Sequence, residues 1–163
     1  MTTTTDLHRE MMLEAVREAA QGHAAGHGTP FGAVLARKDE IITKGHNMIF
    51  STGDATAHAE MVVLRETAQK LGTTSLEDCV LYATGQPCIM CLATTMTLRV
   101  PVLYYAATYA DAAVKFPSTG PLVTKIMLDT LHCQKNDFSG DFASSDGLTV
   151  IRLPLPEALA LLR

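Results

Sequence analysis

Two short motifs, His58-Ala59-Glu60 and Pro87-Cys88-Ile89-Met90-Cys91, restrict this chain to folds that bring both to one place. An imidazole and two sulfurs are donors that zinc takes readily, and a Cys2His set suits zinc among the common metals. Three protein donors leave a fourth tetrahedral position open, as catalytic zinc sites do. His58, Cys88 and Cys91 are therefore the expected metal ligands. Glu60, two residues past the histidine, is poorly placed as a fourth ligand and well placed as a general acid/base beside the metal. A closed structural site would need another Cys or His, and His46 and His132 lack the usual spacing. Cys-x-x-Cys alone would also suit a redox pair, and His-x-Glu alone says less. The two together, in this order, carry the reading.

The hydrophobic pattern puts each motif at a helix start. A polar loop over 51–56 precedes a helix expected over about 57–71 and ended by Gly72. Pro87 leads into a second helix over 88–98, where its missing N–H costs nothing. First turns present free N–H groups and the positive end of the helix dipole, which stabilise thiolates. Cys88 and Cys91, three apart, share a helix face. Elsewhere, Asp6 is a plausible N-cap for a helix carrying Leu7, Met11, Leu13, Val16 and Ala20, up to a Gly-rich stretch over 22–28. The runs 31–36 and 41–48, around the polar turn Arg37-Lys38-Asp39-Glu40, read as a hairpin. Further strands are expected over 79–84, 101–107 and 148–153. Helices are expected over 121–132 and 156–162, with a polar loop over 136–147. Alternating strands and helices after a hairpin predict an α/β fold with helices on both faces of a mixed sheet.

The 163 residues read as one domain, 1–163, with 47% hydrophobic residues. A net charge of −4 and the lack of any basic run argue against a nucleic-acid partner and toward a small uncharged substrate. Of the four cysteines, Cys79 lies in an apolar run and reads as a small buried hydrophobe, and Cys133 has no partner motif. No disulfide framework is expected, which suits a reducing cytoplasm. Residues 1–6 lack the basic and apolar regions of a secretory leader. No apolar run approaches the ~20 residues of a membrane span.

H-x-E followed by P-C-x-x-C is the pattern of the zinc-dependent base deaminases. Over about residues 10–127 the chain resembles the cytidine deaminase-like superfamily. Pro30-Phe31-Gly32-Ala33-Val34, Tyr105-Ala106-Ala107 and Asp111-Ala112-Ala113 are similar to bacterial guanine deaminases. Thr56-Ala57-His58-Ala59-Glu60 is shared by guanine and tRNA adenosine deaminases. Gly45-His46-Asn47-Met48, with Phe50 beyond it, resembles fungal cytosine deaminase. The resemblance implies a three-layer α/β/α fold around a five-stranded mixed sheet, a homodimer, and zinc. It also implies hydrolytic release of ammonia from a free nucleobase or related amino-heterocycle. Guanine is favoured, cytosine comes next, and adenosine in tRNA is a further alternative.

Within that resemblance Glu60 shuttles protons and Asn47 holds the substrate through its amide donor and acceptor. The alternative for Asn47 is a turn-forming role. The backbone N–H of Ala59 is a candidate for binding a ring carbonyl. Phe31 fits either a pocket wall or a core position. His46, next to Asn47 on a strand, is expected to face the other way. Asp111 reads as a helix cap. The chain departs from guanine deaminases after Phe116, where Pro117 and Ser118 replace an acidic pair that contacts the base. Gln86 stands where relatives commonly carry Glu, and the C-terminal tail lacks the aromatic residues that close the guanine pocket. A non-catalytic nucleic-acid-binding accessory domain is the alternative of another class. It would be expected to lack the shuttle carboxylate, which Glu60 supplies.

Overall fold

The structure, a computed structural model, describes residues 4–113, 115 and 147–162. The helix expected over 121–132, the loop over 136–146, and Phe116, Pro117, Ser118, His132 and Cys133 lie outside the described residues. In chain order the elements are α1 (Thr4–Ala24), β1 (Gly32–Arg37), β2 (Glu40–His46), α2 (Ile49–Thr52), α3 (Ala59–Leu71) and β3 (Cys79–Gly85). They continue with α4 (Ile89–Thr97), β4 (Val102–Ala107), α5 (Tyr109–Ala113), β5 (Thr149–Arg152) and α6 (Pro156–Ala160). The sheet order is β2-β1-β3-β4-β5. β1 pairs antiparallel with β2 and β3, and β3, β4 and β5 run parallel, so the expected hairpin and mixed five-stranded sheet are both present.

Buried residues alternate between two cores, which is how a sheet covered on both faces is written into sequence. Ala33, Leu35, Leu81, Leu103 and Tyr105 pack with Ala59, Val63 and Leu64 of α3 and Leu92 of α4. Val34, Ala36, Tyr82 and Ala106 pack with Met11, Met12 and Ala15 of α1 and Ala158 of α6. Helices therefore cover both faces. On the α1 face, Tyr82 and Tyr104 stack across neighbouring strands with centroids 5.3 Å apart. His8 bridges them, its Nδ1 lying 2.7 Å from the Tyr82 hydroxyl and its Nε2 3.2 Å from that of Tyr104.

Both helix starts that matter fall one or two residues later than the pattern predicts. α3 begins at Ala59 because His58 is its N-cap, with extended φ −65° and ψ 153°. α4 begins at Ile89 because Cys88 is its N-cap, with φ −75° and ψ 169°. β2 ends at His46, before the expected 48, because Asn47 turns the chain: its Oδ1 accepts the Ile49 N–H at 3.2 Å and α2 follows. α2 and α5 are too short for periodicity to reveal.

At Gly32 the backbone of α1 lies directly against the sheet. A Cβ there would lie 2.1 Å from the Ala15 carbonyl oxygen and 2.7 Å from the Ala19 nitrogen. Both obstacles are helix backbone and cannot swing aside. Gly32→Ala is expected to cost about 1–3 kcal/mol of stability, as overpacking does, read as a lower urea midpoint at unchanged slope.

Candidate active site

An extended N-cap residue that makes no side-chain cap bond can turn its side chain away from the helix it starts. His58 and Cys88 do this from adjacent helices, which aims both across the same gap. Their carbonyls still accept the first intrahelical bonds, from Val62 and Leu92, each at 2.9 Å. Neither side chain caps its own helix, so both remain for other work. One turn into α4, Cys91 brings the third donor. The His58 Nδ1 lies 3.6 Å from the Cys88 sulfur and 3.7 Å from that of Cys91, and the two sulfurs are 3.5 Å apart. Tetrahedral zinc, with Zn–S of about 2.3 Å and Zn–N of about 2.0–2.1 Å, holds such atoms about 3.6–3.8 Å apart. The triangle therefore fits that ion. Among the described residues it is the one cluster of three or more such donors within metal-binding reach of each other.

The charges of the cluster suit a cation. A hydrogen bond from the Cys91 thiol, followed by one involving His58, brings Cys88 down to about 4 despite its burial. Cys91 is pushed the other way, first by holding the hydrogen bond to the Cys88 thiolate and then by burial. The Cys88 thiolate raises His58 through its hydrogen bond. The pair thus favours one thiolate beside one thiol, a charge state that receives a cation readily. Glu60, in the first turn of α3, is buried, and that burial pushes its carboxyl up to about 7, aided by the Cys88 thiolate. An acid of that strength can both accept and release a proton near neutrality.

The chain around this cluster is tied to it by backbone. The Met48 N–H bonds the Ala57 carbonyl at 2.9 Å, one residue before His58. The Asn47 N–H bonds the Phe31 carbonyl at 2.9 Å. The Phe31 ring packs on Gly85, where a Cβ would come within 2.8 Å of it. Gly85 leads through Gln86 and Pro87 to Cys88. The structure therefore brings Asn47, Phe31, Ala59 and Glu60 to the same end of the sheet as His58, Cys88 and Cys91. Asn47 is buried, with Oδ1 engaged by Ile49, so its Nδ2 donors are the part of the amide outside that turn. The turn-forming and ligand-facing readings of Asn47 are thus compatible. Phe31 is half-buried against the α3–α4 core, so it too is not confined to one of its two readings.

A family model for the cytidine and deoxycytidylate deaminase zinc-binding region matches residues 5–107. The chain belongs to this deaminase family. It is 41% identical over 106 residues to a guanine deaminase of Bacillus subtilis, covering 65% of this chain and 68% of that protein. It is 40% identical over 93 residues to a tRNA-specific adenosine deaminase of Aquifex aeolicus, covering 57% of this chain and 61% of that protein. The crystal structure of guanine deaminase from Bacillus subtilis superposes with a TM-score of 0.63 at 40% identity, covering 65% of this chain and 68% of that one. The chain thus spans about two-thirds of the first of these relatives and about three-fifths of the tRNA enzyme. The cofactor of this family is zinc, and the triad above is the set of residues that would hold it.

In this deaminase one contributor went unnoticed in the sequence. Tyr109 opens α5, and its hydroxyl donates to the Pro87 carbonyl at 2.6 Å, bracing the residue before Cys88. The Tyr109 N–H is accepted by the Gln86 Oε1 at 3.0 Å, which ties the start of α5 to the segment leading into Cys88. Burial, then the nearby Cys88 and Glu60, hold the phenol firmly protonated, so it stays a donor. The capping box Thr108-Tyr109-Ala110-Asp111 signals the start of α5 in the sequence, though not its contact with Pro87. The Asp111 carboxylate accepts the Thr108 N–H at 2.8 Å and the Thr108 hydroxyl accepts the Asp111 N–H at 3.2 Å, so Asp111 does cap a helix.

Proposed function

We propose that this deaminase hydrolyses the exocyclic amine of a free nucleobase, with guanine the preferred substrate. The single observation that carries the chemistry is a buried carboxyl, Glu60, beside a zinc-shaped triangle of His58, Cys88 and Cys91. The 41% identity to a guanine deaminase favours the purine.

Zinc held by the triad would supply a Lewis acid that brings the pKa of water toward ~7. The chain's residues do the remainder. Glu60 takes a proton from the attacking water and passes it to the ring nitrogen next to the amine-bearing carbon. It then carries the second water proton to the amine, the C–N bond breaks, ammonia leaves and a carbonyl remains. Asn47 orients the base through its Nδ2 donors. Ala59, in the first turn of α3, has an N–H with no intrahelical acceptor, suited to a ring carbonyl. The Phe31 ring walls the pocket between Asn47 and Gly85.

The test is an ammonia-release screen over guanine, cytosine, adenine, their nucleosides and simple aminotriazines. Guanine is expected to turn over fastest. No ammonia from any free base would overturn the reading. A second reading, adenosine in tRNA, draws on the 40% identity to a tRNA-specific adenosine deaminase. Release from a tRNA anticodon arm alone would establish it, although the net charge of −4 opposes it.

A homodimer would cover the exposed side chains of Phe50 and Ile89, and light scattering reads it directly. A reducing compartment suits the free thiols of Cys88 and Cys91. Among the described residues no helix is long and apolar enough to cross a membrane.

A further inference from the structure

We propose that Glu18, His46 and His27 form a hydrogen-bonded chain that positions Asn47, and that the chain fails when it takes up a second proton. The proposal rests on the substrate-holding role given to Asn47 above. The His46 Nδ1 lies 3.2 Å from the Glu18 Oε2, and the His46 Nε2 lies 2.9 Å from the His27 Nδ1. The two imidazoles stack with centroids 5.1 Å apart. The His46 and Glu18 side chains are only 15% and 13% exposed, so water does not easily replace these bonds.

The chain ends under Asn47. The His27 carbonyl accepts the Phe50 N–H at 2.9 Å and the Ser51 N–H at 3.1 Å, holding α2 just past Asn47. The next residue, Gly28, abuts Asn47 so closely that a Cβ there would lie 2.1 Å from its Oδ1. His23 donates from Nδ1 to the Gly28 carbonyl at 3.2 Å. At the other end, a Cβ on Gly22 would lie 2.2 Å from the His46 ring, so that ring is seated against α1. His46 thus faces α1, and its contribution to Asn47 runs through His27 and the 27–28 backbone.

Proton counting makes the chain conditional. With both imidazoles neutral, His46 donates to Glu18 and accepts from His27. With one added proton, His46 donates to both neighbours and the His27 Nδ1 accepts. With two, an N–H faces an N–H and the 2.9 Å contact cannot persist. The charged and titratable groups around the chain are Glu14, Arg17, Glu18 and His23 of α1, His27 of the loop, and Lys44 of β2. The Lys44 ammonium is 3.5 Å from the Glu18 Oε1 and 3.2 Å from the Glu14 Oε2, and Arg17 pairs with Glu14. α2 contributes no titratable side chain. Imidazole is the group whose charge changes between about pH 5 and 8.

The test is KM and kcat for the best base from the screen, between about pH 5 and 8, at constant zinc content. The wild type is expected to show KM rising about tenfold toward the acid end, while kcat falls there in wild type and variants alike as Glu60, at about 7, takes up its proton. His27→Ala, which removes the link, should show the raised KM at every pH. His27→Gln keeps a donor but cannot carry the second charge, so its KM should stay within about threefold of the neutral wild-type value throughout. An unchanged KM in His27→Ala, or a full acid rise in His27→Gln, would overturn the proposal. Asn47→Ala separates the two layers. If it raises KM and His27→Ala does not, only this inference fails. If it leaves KM unchanged, the reading of Asn47 fails first. Should no base turn over, nitrogen NMR of the zinc-loaded protein decides. Two proton-uptake steps, with the Phe50 and Ser51 amides moving on the second, support the chain. Independent titrations without that response refute it.

Discussion

Glu60→Gln is expected to keep full zinc occupancy and lose about 10²–10⁴-fold in kcat, the range general acid–base catalysis supplies. The change keeps the shape and hydrogen-bonding reach of the side chain and removes the transferable proton. Burial is what makes the loss large. A carboxyl exposed to water could be replaced by solvent or buffer, whereas Glu60 is 7% exposed and packs within the first turn of α3. The measurement is steady-state ammonia release beside metal analysis of the same sample. Activity within tenfold of the wild type, at equal zinc content, would remove Glu60 from the chemistry and leave it a packing residue.

Removing a ligand should have the opposite signature. His58→Ala, Cys88→Ser or Cys91→Ser is expected to lose bound zinc and all measurable turnover while keeping the fold. The fold survives because the helices that carry the ligands are anchored elsewhere. Val63 and Leu64 of α3 and Leu92 of α4 are buried with the sheet residues Leu35, Leu81 and Leu103. The metal adds a cross-link between two helix starts already in place. Ligand linkage makes that addition about 4 kcal/mol at free zinc 1,000-fold above its dissociation constant. Chelated wild type should therefore melt several degrees lower and cooperatively, with an unchanged far-UV spectrum in the cold. Loss of secondary structure on chelation at low temperature would instead mean that zinc folds the domain, as a closed structural site does.

The reactive triangle was legible because its information is local. His-x-Glu and Cys-x-x-Cys each occupy a few residues, and the loop before one and Pro87 before the other mark helix starts. The sheet was legible because β1, β3 and β4 carry apolar runs and a polar turn over 37–40 joins β1 to β2. What escaped was held in contacts between distant segments. Tyr109 braces Pro87 only because the ends of β3 and β4 are neighbours, and no spacing within 109–111 states that. His27 and His46 are 19 residues apart and meet because the loop after α1 folds back onto the end of β2. A periodicity argument could send His46 to the face away from Asn47, but it could not supply the partner waiting there.

The His8 bridge on the far side of the sheet gives this molecule a built-in optical reporter. With no tryptophan among its 163 residues, ultraviolet emission comes from four tyrosines, and two of them are the stacked, imidazole-capped pair Tyr82 and Tyr104. Lifting the first helix off the sheet would take the His8 imidazole away from both rings and change their fluorescence. Detachment there can be followed in real time, without a dye, once Tyr109, the tyrosine braced against Pro87 at the catalytic edge, is replaced by phenylalanine.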